Sequence, residues 1–384
     1  MKKILVIHTS YRSKGGEQAA FLNDKLELQK KFVIKSINLN NEIYRPLLDT
    51  FNILLNRNKG LIKSLKELET EFSPDYYYFH NTWFKAAGIV SHLLKSDKPV
   101  ILKLHNFRFD CIQGAHFKKN DICFKCDSST FYGILNRCYR NSLLRSTMIS
   151  IFSYRFRKSL LHPNARVLVL NSFQYKYLKN FGVRKENLFL QYNFFRKNNV
   201  TINSKYRNRK KEFTYIGRVT ENKGIVELLE CFEKLNTKDY ILNIIGKEDD
   251  TINLDKYRNN KNIIFFGHKE SSFIDEVLKS SLAVISATKS FELHPMIIND
   301  SLKNNCLLIF PNIPGLADFF PKNYEYLYKH SNFHNLKSKI ESFIEKYENH
   351  PEILDRQIDT LNSHIDELLD SDKLIDEFMK IVSE

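Results

Sequence analysis

The sequence has 384 residues, with 59 lysines and arginines against 44 aspartates and glutamates, a formal charge of +15. Apolar content of 42% with 13% aromatics argues against disorder, and the length suits two domains of ordinary size, each with its own core. The charge is polarised: residues 1–211 hold 39 basic against 14 acidic side chains, and residues 212–384 hold 20 against 30, which excludes a nucleic-acid coat basic all over.

In chain order, Lys3–Ile7 reads as a buried parallel strand and about Glu17–Lys30 as a helix. Strand patterns follow at Phe32–Ile37, Asp75–Phe79, Val100–Leu104 and Val167–Leu170, with helical stretches such as Leu61–Phe72 and Trp83–Leu94 between them. Charged, Asn-rich Arg196–Lys211 reads as a linker. The alternation then restarts with strand Glu212–Ile216, loop Gly217–Gly224 and helix Ile225–Leu235. Tyr240–Ile245, Ile263–Phe266, Leu282–Ser286 and Leu307–Phe310 are further strands, and the tail from Phe333 is helical and acidic. The pattern predicts an α/β protein of two Rossmann-like, doubly wound domains facing a cleft, with ligands at the carboxyl ends of the strands. The expected boundaries are 1–198 for the first domain, with a Cys-containing insertion at about 107–140, a linker at 199–211, and a second domain at 212–355. Terminal helices at 356–384 are expected to return to the first domain.

Lys2 and Lys3 precede only Ile4–Ile7 before His8, too short for a signal-peptide core, and no run approaches the roughly 18 uncharged apolar residues of a membrane helix. Six cysteines in this length do not form a disulfide scaffold. A cytoplasmic protein is expected.

Two segments of the second half carry chemistry. In the loop from Gly217 to Gly224, the glycines permit a tight turn and close approach to a ligand, while Arg218 and Lys223 leave the same loop. A planar guanidinium and a point-like ammonium suit a diphosphate; an ordinary βα turn with two solvated cations is the competing reading. Further on, Glu292-Leu-His-Pro-Met-Ile-Ile-Asn-Asp300 follows a strand and opens a helix. Its carboxylates suit sugar hydroxyls, and the helix start suits an anion. A capped helix with one exposed acid is the alternative.

Together these segments resemble the retaining, nucleotide-sugar-dependent GT-B glycosyltransferases of family 4, the group 1 glycosyl transferases of surface polysaccharide synthesis. That family has a G-R-x-x-x-x-K-G loop, matched by Gly217, Arg218, Lys223 and Gly224, and an E-x7-E element, matched by Glu292 and Asp300. The resemblance implies that Gly217, Arg218 and Lys223 hold the donor diphosphate, that Glu292 meets donor sugar hydroxyls, and that Asp300 meets the ribose. Leu293 and His294 replace the family's Gly-Phe, which puts a titratable His294 near the sugar.

In the first domain, Ser13-Lys-Gly-Gly-Glu17 is not the G-x-G-x-x-G of a dinucleotide site and disfavours an NAD enzyme. It resembles the family's Gly-Gly loop, which implies that Gly16 lies beside the donor phosphate; a plain glycine turn is the alternative. His80-Asn81 and His105-Asn106 end predicted strands, and by resemblance His105 is the first-domain histidine near the donor sugar. Cys111, Cys123, Cys126 and Cys138 are spaced for a structural zinc, with four reduced thiols as the competing reading. Cys231 and Cys306 are expected in the core. Arg137–Lys158 interleaves cations with apolar and aromatic residues, which suits either an anionic membrane surface or a core helix with a solvated basic face.

The resulting expectation is a retaining hexosyltransferase with His105 and Glu292 in catalytic positions. It would move sugar from a nucleotide diphosphate sugar to a saccharide or lipid-linked acceptor, peripheral at the inner membrane face. Without a D-x-D motif in any loop of interest, no metal cofactor is expected for catalysis. A non-catalytic nucleotide-sugar or polysaccharide-binding protein is the rival, and no RNA- or DNA-binding motif supports a nucleic-acid partner.

Overall fold

In the computed structural model of the chain, residues 1–10, 15–40, 58–81, 88–127, 129–195, 205–235, 239–250 and 252–383 are described. They fall into two units, each built on a six-stranded sheet whose neighbours all run parallel. The first comprises Met1–His116, Cys123–Phe195 and Ser371–Glu384; the second comprises Phe117–Ile122 and Arg196–Asp370.

Unit one begins with β1 (Lys3–Ser10), α1 (Gly16–Leu28) and β2 (Val33–Asn40). It continues with α2 (Lys59–Phe72), β3 (Tyr76–Phe79), α3 (Ile89–Leu93) and β4 (Val100–Lys103). All four residues of β3 and of β4 are buried, as expected of parallel strands covered on both faces. An excursion then contributes the hairpin β5 (Phe117–Lys118) and β6 (Asp121–Ile122), which belongs to unit two, and the short helix α4 (Phe131–Leu135). The chain returns through α5 (Leu143–Leu160), β7 (Ala165–Val169), α6 (Ser172–Phe181) and β8 (Leu188–Leu190). Asn58 and Asn171 cap α2 and α6 by accepting from Leu61 N and Gln174 N, and Gly182 ends α6 at φ +105°. The strand order is β2-β1-β3-β4-β7-β8.

Unit two runs β9 (Glu212–Ile216), α7 (Ile225–Glu233), β10 (Ile241–Ile245), α8 (Asp255–Arg258), β11 (Ile263–Gly267) and α9 (Ser271–Ser280). It then runs β12 (Ala283–Ile285), α10 (Met296–Lys303), β13 (Leu307–Asn312), β14 (Leu327–Lys329), α11 (Phe333–Asn349) and α12 (Pro351–Leu368). The order β11-β10-β9-β12-β13-β14 reverses direction between β9 and β12. In such a sheet the loops leaving two diverging neighbours splay apart and leave a crevice at their carboxyl ends.

The sequence pattern located ten strands within a few residues. The edge strands β8 and β14, three residues each, carry too few alternations to stand out. The helix read at Trp83–Leu94 is described only as Ile89–Leu93, with residues 82–87 outside the described set. Of the stretch read as a linker, residues 205–211 are described, and they enter unit two's core: Tyr206 and Arg209 are buried. The terminal helices separate, with α12 in unit two and α13 (Ser371–Ser383) in unit one. There Phe378 meets Phe32 and Tyr78 edge-on, with ring centroids 5.8 and 5.6 Å apart. Among the described residues no helix is long and apolar enough to cross a membrane.

Arg209 ties unit two together. Its guanidinium donates to the carbonyls of Leu278, Ser281, Asn304 and Asn305 at 2.6–3.0 Å and lies 4.8 Å from the Tyr206 ring centroid. Arg209→Met would fill the space but leave those carbonyls short of donors. A loss on the order of 3 kcal/mol is expected, measured as a fall in urea midpoint with unchanged slope.

Candidate active site

The loops leaving β9 and β12 meet at the point where unit two's strand order reverses. Gly224 makes the meeting feasible: it has φ +66°, and a Cβ there would stand 2.0 Å from the Ala287 carbonyl oxygen. Only glycine accepts both the dihedral and the approach. Lys289 N then donates to Asn222 O at 2.9 Å, and Asn222 Nδ2 donates to Ser290 Oγ at 3.2 Å. Across this seam Lys223 Nζ pairs with Glu292 Oε1, which also accepts from Thr288 Oγ1 at 3.2 Å. Both members of the pair are partly exposed.

Arg218 leaves the same loop, exposed to solvent. The Tyr215 hydroxyl donates to the Arg218 carbonyl at 2.6 Å, fixing the turn after Gly217. Burial drives the Tyr215 phenol up, with Glu292 adding to the rise and Arg218 opposing it, so both charges lie within electrostatic reach of one ring. Two helices start here without a side-chain cap: α7 behind Gly224 and α10 behind Pro295. A helix start carries partial positive charge, which suits a nearby anion. Unit two thus gathers Gly217, Arg218, Lys223 and Glu292 on two loops joined at this seam.

The other two expected donor residues are placed differently. His294 is buried, with Nε2 3.2 Å from Asn299 Oδ1 and its ring centroid 4.3 Å from that of Phe319. The ring is thus held against the turn into α10. Asp300 lies on α10 beside Asp275 and Lys303; burial and Asp275 push its carboxyl up to about 6 against the pull of Lys303.

In unit one the chain order turns at β1, which has β2 on one side and β3 on the other. Gly15 and Gly16 start α1 after β1, His80 follows β3 and His105 follows β4. Gly15 is extended at φ −150° with open space where a Cβ would be, and Gly16 is exposed; Ser13 and Lys14 of this loop lie outside the described residues. His105 rests on His80 with ring centroids 4.2 Å apart. Burial holds both imidazoles neutral, lowering His80 to about 4 and His105 well below the ordinary value.

Behind the histidines is a charged cluster that sequence reasoning missed. Asp24 Oδ2, from α1, accepts from Lys103 Nζ at 2.6 Å and from the Tyr78 hydroxyl at 2.7 Å, with His80 Nε2 3.3 Å away. All four residues are buried. Burial works to raise the Asp24 carboxyl, but Lys103 and His80 outweigh it and hold the group well below the usual carboxylate range. A signal existed: Asp24 shares a helical face with Ala20, Phe21 and Leu28, and a charge on such a face needs a buried partner.

Glu17, His80, Lys103, His105, Asn106 and Arg108 line a cavity of about 20 Å³, room for one water. Glu17 Oε1 and His105 Nε2 are buried and have no hydrogen-bond partner among the described residues. Donors and acceptors set together in this way suit hydroxyl groups.

The four cysteines of the insertion draw near one another: Cys111, Cys138 and Cys123 all act electrostatically on Cys126. Burial pushes the Cys126 thiol to about 12 and the Cys111 thiol to about 11. Among the described residues, however, no group of three or more His, Cys, Asp or Glu side chains is disposed to hold a metal ion, so the zinc expectation finds no ligand set here. The insertion is held by α5 instead. Arg157 donates to Phe109 O at 2.9 Å and Cys126 O at 2.8 Å, and Ser153 donates to Arg108 O at 2.6 Å. Cys231 and Cys306 are buried.

Two parallel-sheet Rossmann-like units, one with a basic loop and an acidic loop at its switch point, define the architecture of the GT-B glycosyltransferases. Residues 198–361 match the family described as glycosyl transferases group 1, a match that covers most of unit two. Among solved structures, the chain is similar to sucrose-phosphate synthase from Thermosynechococcus elongatus, at 12% identity and a TM-score of 0.70, covering 99% of this chain and 98% of that one. It is similar to Anabaena HepE in complex with UDP-glucose, at 11% identity and a TM-score of 0.65, covering 99% of both chains. The lipopolysaccharide outer core galactosyltransferase WaaB in its apo form follows at 14% identity and 0.60, again covering 99% of both. At such identities the likeness is one of fold. No curated protein sequence matches the chain.

Glu17 yields a pH prediction. Burial pushes its carboxyl up to about 8, with Arg108 pulling against it, whereas an unfolded glutamate titrates near ~4.3. Its contribution to stability is therefore full below the unfolded value and is lost as pH rises toward 8. Glu17→Gln has no proton to lose. Its melting temperature relative to wild type is expected to climb between acidic and alkaline pH, and a difference independent of pH would refute the raised carboxyl.

Proposed function

We propose that the protein is a retaining, metal-independent glycosyltransferase. It moves a sugar from a nucleotide diphosphate sugar to a saccharide or lipid-linked saccharide in surface polysaccharide synthesis. The observation that carries this reading is the Lys223–Glu292 pair bridging the loops after β9 and β12, with Arg218 exposed beside it and two uncapped helix starts around it. The family match over residues 198–361 supports it, as do fold relatives that bind UDP-glucose or are named as an outer core galactosyltransferase.

The chemical demand is a departing diphosphate and an electron-poor anomeric carbon. Arg218, Lys223 and the backbone donors at the start of α7 are preorganised positive partners for the first. When a diphosphate arrives, Lys223 exchanges Glu292 for phosphate oxygen, which frees the Glu292 carboxylate to accept from sugar hydroxyls. Binding and sugar recognition are thereby coupled through one exchange of partners. In the same reading Gly16 gives the diphosphate room to approach and His105 orients the sugar as a neutral donor or acceptor. Arg and Lys take the place a divalent cation would fill.

The test is incubation with labelled UDP-, GDP- and dTDP-sugars and a lipid-linked saccharide, with and without chelator. Chelator-insensitive transfer with retained anomeric configuration is expected. Donor binding without sugar release would leave a non-catalytic nucleotide-sugar-binding protein. Arg218→Ala with Lys223→Ala is expected to weaken nucleotide affinity by about a hundredfold, two charge-assisted contacts being lost. Isothermal titration with UDP reads it directly.

A further inference from the structure

Helix α5 buries a mixed face, Ser146, Ser150, Ser153 and Ser159 among Met148, Ile149, Phe152, Phe156 and Leu160. The serines are satisfied there: Ser146 Oγ accepts from Tyr139 N at 3.0 Å, Ser150 pairs with Thr130, and Ser153 donates to Arg108 O. The side turned to solvent instead carries Leu143, Leu144 and Tyr154. The short helix α4, which packs on α5, exposes Phe131 and Leu135, one helical turn apart. Leu144 is 72% exposed, Leu135 61% and Phe131 60%. A cluster of leucines and a phenylalanine held in water is costly unless something apolar covers it.

The corner joining α4 to α5 is basic. Arg137, Arg140 and Arg145 are all exposed, and left-handed backbone at Arg137, Arg140 and Asn141 makes the reversal. From Ser128 to Lys211 the sequence has 18 basic residues and a single acid, Glu186. Lys158 and Tyr154 extend the pattern along the helix, with Nζ 4.7 Å from the ring centroid.

We propose that this corner, Phe131, Leu135, Leu143 and Leu144 with Arg137, Arg140 and Arg145, docks on an anionic lipid surface. The apolar side chains enter the interface and the guanidiniums meet the head groups. Aliphatic leucines have no face for stacking on bases and no group to bond them, so their exposure favours lipid over nucleic acid. No described helix can span a bilayer, so the chain lies on the surface.

The full chain is floated with phosphatidylcholine vesicles and with vesicles also containing phosphatidylglycerol, with no donor present, so the outcome is independent of the transfer reaction. Partition onto the anionic vesicles is expected to be at least about tenfold stronger, and Arg137→Gln, Arg140→Gln and Arg145→Gln each weaken it about fivefold. Leu135→Glu with Leu144→Glu is expected to abolish it while the melting temperature stays at the wild-type value. Should that variant fail to fold, the arginine series and the lipid comparison still decide. Equal partition onto both vesicles, partition onto neither, insensitivity to the substitutions, or retention on RNA without flotation would each overturn the proposal.

Discussion

The approach of the Gly224 backbone to the Ala287 carbonyl is the constraint on which the rest of unit two's site depends. Strands β9 and β12 are neighbours whose chains depart in opposite directions, so their loops would diverge without a point of contact. A Cβ at Gly224 would stand 2.0 Å from that oxygen. With hydrogen alone the loops close, Asn222 bonds both Lys289 and Ser290, and Lys223 reaches Glu292. The charge pair is a consequence of backbone contact.

Unit one solves its electrostatics differently. Asp24, Lys103, Tyr78 and His80 are buried, and the Asp24 carboxylate is matched by Lys103 and Tyr78 within the fold. A buried pair of this kind seldom adds net stability over well-packed apolar residues, while removing one partner strands the other. Its effect here falls on the histidines. Burial, with Lys103 nearby, keeps His105 neutral, so the ring facing the small polar cavity has one nitrogen to give and one to accept. The insertion that follows His105 is anchored through Arg157 and Ser153 of α5, so one helix supports the cavity wall and carries the exposed leucines at its start.

Much of this was legible beforehand because parallel strands buried on both faces write themselves as apolar runs, and Gly217, Arg218, Lys223 and Glu292 occur where strands give way to helices. His294 was legible as a residue and not as a direction: its ring turns inward onto Phe319 because the loop before α10 presents that side to the core. Asp300 keeps its helical position, but its neighbours Asp275 and Lys303 come from packing that no spacing records. The cysteine spacing suggested a tetrahedron that the described residues do not form.

By itself the sequence determined the two sheets, the acidic second half and the basic, aromatic stretch of the first, because composition and periodicity act locally along the chain. Tertiary structure alone decided where those charges and apolar groups ended up. Part of the basic half's charge gathers at a corner on α4 and α5, where Arg137, Arg140 and Arg145 stand exposed beside exposed leucines. Periodicity could not assign those faces, since α5 is apolar on both sides; in the fold one side buries Met148, Ile149, Phe152, Phe156 and Leu160 with serines bonded to the insertion's backbone.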